Sequence, residues 1–234
     1  MIYTGDLMIS FVRVYIIAGL ILLSFNAESQ NYRLEKAWET EPVFSTPESA
    51  VFDANRDQIY ISNFNTFPRD LESPGFLNDI AIDEKGVIYF TDTSPKKPEA
   101  SAVYAFRDGS VDTIASDPVN RSNGLLCDRR SLLVGNSGDQ SLKKIDLETN
   151  EVHNVARMDT GIIDGIKNYK NEYYIVTLWE GRIYLINSDG IVKELLDVRS
   201  SNIRTADIEF IPELNLIVIP TFDYNRVIAY RIKE

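Results

Sequence analysis

The feature that most constrains this chain is a repeat. Five stretches share one layout: a polar residue, a short apolar strand, a turn and a second apolar strand. The strand pairs are 48–53 with 59–63, 78–83 with 87–92, 123–128 with 132–136, 164–168 with 173–176, and 206–210 with 216–219. Their starts, Glu48, Asn78, Asn123, Asp164 and Ala206, lie 30, 45, 41 and 42 residues apart. A period near 40–45 residues with several short strands per unit is the signature of propeller blades. Outer hairpins fit the same scheme at 102–106 with 111–114, 142–147 with 152–155, and 183–186 with 191–195. The last unit has a third strand at 227–232, and a segment within 37–44 is expected to supply its fourth from the other end of the chain. That pairing would cover an otherwise bare sheet edge.

The first unit departs from the pattern. Residues 65–76 carry Pro68, Pro74 and Gly75 and no alternating hairpin, and proline disfavours central strands because it cannot donate to the ladder. The expectation is therefore an all-β propeller with four complete blades and a truncated first blade.

Composition narrows the function. The 234 residues carry 35 acidic against 24 basic side chains, a net charge of −11, whereas nucleic-acid binding needs a basic stripe. One Cys excludes an internal disulfide, and one His excludes a multi-histidine zinc site. At the N-terminus, residues 14–27 are uncharged and mostly apolar, with Arg13 before them and Ala27-Glu28-Ser29 after them. The run is shorter than the roughly 20 residues a membrane span needs. It reads as a secretory signal peptide over 1–29, with a short membrane anchor as the alternative. Residues 30–234 would then be a single exported propeller domain.

In a propeller the innermost strand of each blade lines the axis, so repeat-equivalent residues converge. Here they are Glu48, Asn78, Asn123 and Asp164, with Ala206 as a silent fifth member. Two carboxylates and two carboxamides form an all-oxygen set suited to a hard divalent cation, Ca²⁺ foremost. The competing reading treats Asn123-Gly124 and Asp164-Gly165 as hairpin turns. Each, however, precedes an apolar strand whose own turn comes later.

The motifs around Pro47-Glu48-Ser49-Ala50, Leu77-Asn78-Asp79-Ile80, Ser122-Asn123-Gly124-Leu125 and Ile163-Asp164-Gly165-Ile166 resemble, in order, those of the gluconolactonase/regucalcin family. That family is related to the paraoxonases and diisopropylfluorophosphatase. The resemblance implies a six-bladed propeller with Ca²⁺ in a central tunnel, hydrolysing lactones, esters or phosphotriesters. It implies Glu48, Asn123 and Asp164 as principal metal ligands and Asn78 as a ligand or substrate-binding residue. The chain departs from the family between Glu48 and Asn78, where about one blade's worth of sequence is missing. The resulting expectation is a Ca²⁺-dependent lactonase or esterase acting on a small molecule. Asp164 or Asp79 would serve as base, or Asp164 as nucleophile. The alternative is a propeller that binds a ligand or protein without turnover.

Other candidates carry less. Asp53-Ala54-Asn55-Arg56-Asp57 begins like a calcium loop, but Gln58 replaces the required Gly. His153 falls in an outer hairpin, and Cys127 reads as a packing residue within an inner strand. Trp38 and Trp179 are read as packing or rim residues, with a substrate platform as the alternative. Asp92, Asn136 and Asp207 are secondary candidates whose simpler reading is capping strand ends.

Overall fold

A computed structural model describes residues 32–53, 57–63, 76–95, 97–170 and 172–234. The leader at 1–29 and most of 65–76 lie outside the described residues. Chain contacts separate Met1–Tyr32 with Glu234 from the body Arg33–Lys233, and the architecture is that of the body. Among the described residues no helix is long and apolar enough to cross a membrane.

Eighteen strands make up the described part of the body. The first is β1 (Arg33–Glu39). A two-stranded sheet comes next, β2 (Pro47–Asp53) and β3 (Gln58–Asn63). The third sheet region runs β4 (Leu77–Ile82), β5 (Ile88–Asp92), β6 (Ala102–Arg107) and β7 (Ser110–Ala115). Then come β8 (Ser122–Asp128), β9 (Ser131–Asn136), β10 (Ser141–Asp146) and β11 (Val152–Arg157). Another four-stranded sheet holds β12 (Ile163–Tyr169), β13 (Tyr173–Leu178), β14 (Arg182–Asn187) and β15 (Val192–Asp197). The last three are β16 (Glu209–Ile211), β17 (Leu216–Pro220) and β18 (Val227–Lys233).

These sheets are the blades of a propeller, each an antiparallel meander. β1 completes the last blade by pairing with β18, in register from Arg33 opposite Lys233 to Glu39 opposite Ile228. The strand taken from the N-terminal side thus begins four residues before the expected segment. The other correction is at Ala206, which precedes β16 instead of starting it.

The core lies in the seams between blades, where facing strands bury Val, Leu and Ile. One seam packs Tyr89, Val103 and Ala105 against Leu125, Leu132 and Val134. Another packs Leu133 and Leu142 against Ile166, Val176 and Ile186. The two-stranded sheet shares a third seam with the last blade, where Ala50 meets Ile211, Val218 and Val227.

Buried hydroxyls stitch the seams at repeat-equivalent places. Thr91 Oγ1 accepts from Asp79 N–H (3.0 Å) and donates to the Asn123 carbonyl (2.8 Å) of the next blade. Two blades further along the chain, Thr177 Oγ1 accepts from Gly165 N–H (2.7 Å) and donates to the Ala206 carbonyl (3.1 Å). Replacing Thr177 by Val should strand both partners inside the seam, and a buried polar group left alone costs about 1–3 kcal/mol. A loss of that size in urea unfolding, with unchanged far-UV circular dichroism, is the expected result. No loss would mean that water replaces the hydroxyl.

Candidate functional site

Each expected site residue sits at a bulge. Pairing of β8 with β9 steps from Ser122–Asn136 to Leu125–Val134, so that Asn123 and Gly124 together oppose one residue. The same step occurs at Asp164-Gly165 in β12, at Asn78-Asp79 in β4 and at Glu48-Ser49 in β2. A bulge inserts an extra residue, bends the strand and re-aims a side chain. Here four equivalent bulges aim four side chains at one place. Asn123-Gly124 and Asp164-Gly165 are therefore strand elements, not hairpin tips.

The glycines have a separate cause. A Cβ on Gly124 would collide with the Asp164 carbonyl oxygen of the neighbouring blade, and one on Gly165 would lie 2.8 Å from Ile208 Cγ1. Innermost strands approach too closely there for a side chain.

Glu48, Asn78, Asn123 and Asp164 line one cavity of about 430 Å³. Its other walls include Phe76, Leu77, Ile162, Trp179 and Phe222. Hydrogen-bond accounting orients the Asn78 amide. Thr93 Oγ1 gives its one hydrogen to the Ser122 carbonyl (2.6 Å), so it must accept from Asn78 Nδ2 (3.0 Å). Asn78 Oδ1 is left as the acceptor end of that amide. Asn123 is buried, and its Oδ1 has no hydrogen-bond partner among the described residues. Buried acceptors are rarely left so without an occupant nearby.

The electrostatics favour a cation. Burial, reinforced by the Asp207 carboxylate, pushes the Glu48 carboxyl up to about 7. Burial also holds Asp164 well above the usual carboxylate range, with Glu48, Asp207 and Asp79 adding to it. Among the described residues no three His, Cys, Asp or Glu side chains cluster as a metal site. A cation in this cavity would therefore depend on the two amide oxygens as well as the two carboxylates.

Asp79 points elsewhere. Its carboxylate accepts from the backbone N–H groups of Leu125 and Ile80, and it borders a second cavity with Lys167, Asp207 and Glu209. Burial and the Asp207 charge raise its pKa, while the two N–H groups and Lys167 pull the other way. Burial opposes the charge on Lys167, but Asp207, Glu209 and Asp79 outweigh it and hold its pKa above the ordinary value. Asp207 also accepts from Ser49 Oγ (2.8 Å). This second cavity is lined by the two-stranded sheet, which exposes Val51 and Tyr60, and by β4, which exposes Ile80 and Ile82.

The secondary candidates have structural employment. Asp92 Oδ1 accepts from the N–H groups of Phe76 (2.8 Å) and Ser94 (2.9 Å), and Asn136 Oδ1 accepts from Asn120 N–H (2.6 Å). His153 is exposed on β11, beside Glu151 at 3.7 Å. Trp179, expected to pack or to sit at the rim, lines the cavity. Its indole lies 4.1 Å from the Arg204 guanidinium carbon and meets Phe222 edge-on at 5.6 Å. Phe222 is a wall residue that sequence reasoning misses. It lies just beyond a strand end, where no repeat position marks it, and it holds φ at 50°. That region is an outlier for a bulky residue, costing about 1–3 kcal/mol that its surroundings must offset.

The raised carboxyls give a pH prediction. A folded pKa above the unfolded value means that the native state binds more protons in between, so stability falls as pH rises. For Glu48 the window runs from 4.5 to about 7. Chelator-treated protein should thus be more stable to urea near pH ~5 than near pH ~7.5. Glu48→Gln should flatten that slope. A stability that instead rises through this window would refute the buried-carboxylate account.

These blades and this cavity define the class: a β-propeller in which four blades each bring an oxygen-bearing side chain to one cavity. No family model and no curated protein matches the sequence. Among solved structures the chain is similar to a gluconolactonase from Xanthomonas campestris, at 17% identity and TM-score 0.57, over 79% of this chain and 65% of that one. It is similar to a structural-genomics candidate gluconolactonase, at 14% identity and TM-score 0.61, over 87% and 93%. It is also similar to a luciferin-regenerating enzyme, at 16% identity and TM-score 0.54, over 76% and 66%. The chain spans about two thirds of the length of the first and third. The likeness is one of fold, and it falls on the propellers whose motifs the sequence resembles.

Proposed function

We propose that the protein hydrolyses a lactone or ester in the 430 Å³ cavity, assisted by a divalent cation, Ca²⁺ foremost. The observation that carries this reading is the convergence of Glu48, Asn78, Asn123 and Asp164 from four blades, with the buried Asn123 Oδ1 unpartnered. An all-oxygen donor set with two carboxylates fits a hard cation. Glu48, Asn123 and Asp164 would hold it, and Asn78 would complete the set or hold the substrate. Bound there, a cation would supply Lewis-acid polarisation of the substrate carbonyl.

The chain's own groups do the rest. Asp164, buried in the cavity wall, accepts a proton from the attacking water. Asn78, fixed by Thr93, offers Oδ1 to a substrate hydroxyl or to the ion. Trp179 and Phe222 close the wall and exclude water. Asp79 faces the second cavity, and in this scheme it acts through its charge on Asp164.

The test is hydrolysis of a lactone and aryl-ester panel before chelation, after it, and after Ca²⁺ is restored. Activity lost on chelation and recovered with Ca²⁺ is expected. No turnover across the panel, with or without Ca²⁺, overturns the reading. The two-stranded first sheet favours a second reading, a binding propeller with a structural ion. In that case Glu48→Gln and Asp164→Asn would lower the melting temperature of the Ca²⁺-loaded protein with no turnover to lose.

A further inference from the structure

We infer that the cavity selects a lactone or ester with an apolar body, an alkyl or aryl chain, over a polyhydroxylated sugar lactone. This rests on the hydrolase reading and narrows its substrate.

The wall chemistry is lopsided. Six lining residues are apolar: Phe76, Leu77, Pro95, Ile162, Trp179 and Phe222. The oxygens of Glu48, Asn78, Asn123 and Asp164 gather at the reacting end, where the ion would use them. The Thr93 hydroxyl is already spent between Asn78 and Ser122. Of the described lining residues, that leaves Ser137, whose Oγ is buried and unpartnered, Arg121 and, where the ion does not take it, Asn78 Oδ1 to meet polar groups on a substrate. A gluconolactone carries a hydroxyl on nearly every carbon. Most of these would lose water without gaining a partner, which disfavours binding. An alkyl or aryl chain meets the opposite situation. Leu77 and Ile162 stay 65% and 39% exposed, so a chain laid across them would bury apolar surface on both sides.

The aromatic part of the wall is preformed. Arg204 lies over one face of Trp179, Phe222 abuts it edge-on, and Phe222 is buried in its left-handed conformation. A platform already ordered need not be ordered by the ligand, so its contact is expressed as affinity.

The chain has two tryptophans, and Trp38 is 38% exposed on β1, away from the cavity wall. A Trp38→Phe variant therefore makes intrinsic fluorescence a reporter on Trp179. Titration with pentylcyclopentanone, which cannot be hydrolysed, should give a saturable change. Anhydroglucitol should give none at the same concentrations. Calorimetric titration of the unaltered protein with both probes repeats the comparison without a variant. In turnover, kcat/KM for γ-nonalactone should exceed that for gluconolactone by at least about tenfold. Trp179→Ala should raise KM for nonalactone by a clearly larger factor than KM for gluconolactone. If neither lactone is turned over, the hydrolase reading fails while the two binding titrations still decide the preference. A polyol bound as tightly as the ketone overturns the inference.

Discussion

Replacing Asp164 with Asn should abolish hydrolysis and, in chelator-treated protein, raise the melting temperature. The two effects have one source. Asp164 is buried with Glu48, Asp207 and Asp79 close enough to repel its charge, so the ionised form is unfavourable unless a cation or an incoming proton answers it. Asn keeps the shape and removes the charge. The group that would hold the ion and take the proton from water is lost, and a fall of ~10³-fold or more in kcat/KM is the appropriate scale. The native state is at the same time relieved of a carboxylate whose raised pKa works against folding above its unfolded value. At this chain length each kcal/mol moves the midpoint by about 2–4 °C, so the gain is readable by calorimetry. Added Ca²⁺ should stabilise the unaltered protein and leave Asp164→Asn unmoved. A lower midpoint in the chelated variant would show that the carboxylate makes a favourable contact that the geometry does not reveal.

Gly124→Ala is expected to be among the most damaging single-methyl additions at the described glycines. Its Cβ would collide with the backbone oxygen of Asp164, not with a side chain able to swing away. Relief requires two innermost strands to part at the bulges that aim Asn123 and Asp164. Overpacking against fixed backbone costs at or above about 3 kcal/mol, and the displaced bulges should take the site with them. The control is Gly86→Ala. Gly86 has φ +81° and nothing within 4 Å of the added atom, so the penalty there is conformational, about 1 kcal/mol. Urea midpoints for the pair should differ clearly. Equal midpoints would mean that the inner strands can separate freely.

The repeat makes the blades legible because each unit carries its own alternation and turn. Strands such as 102–106, 132–136 and 183–186 fall within the observed elements to a residue or two. The convergence of Glu48, Asn78, Asn123 and Asp164 can be read for the same reason, since equivalent positions in a ring face one axis. Features that depend on neighbours stay hidden. The bulges are a matter of register between two strands, and neither strand announces them alone. Asp79 looks equivalent to its neighbour Asn78, yet the second residue of a bulge turns away, and its carboxylate serves Leu125 N–H. Trp179 and Phe222 lie beyond strand ends and outside the repeat, so nothing periodic marks them as a wall.

Because β1 lies against β18, the first strand of the body must wait for the last before it has a partner. The pairing of Arg33 with Lys233 spans nearly the whole polypeptide. Such long-range closure slows folding, and during synthesis the latch can shut only after β18 has left the ribosome. It also makes the body tolerant of re-threading. Joining Lys233 to Arg33 by a short linker and opening the chain at the exposed Ser188-Asp189 turn should yield a circular permutant with the same blades and the same cavity.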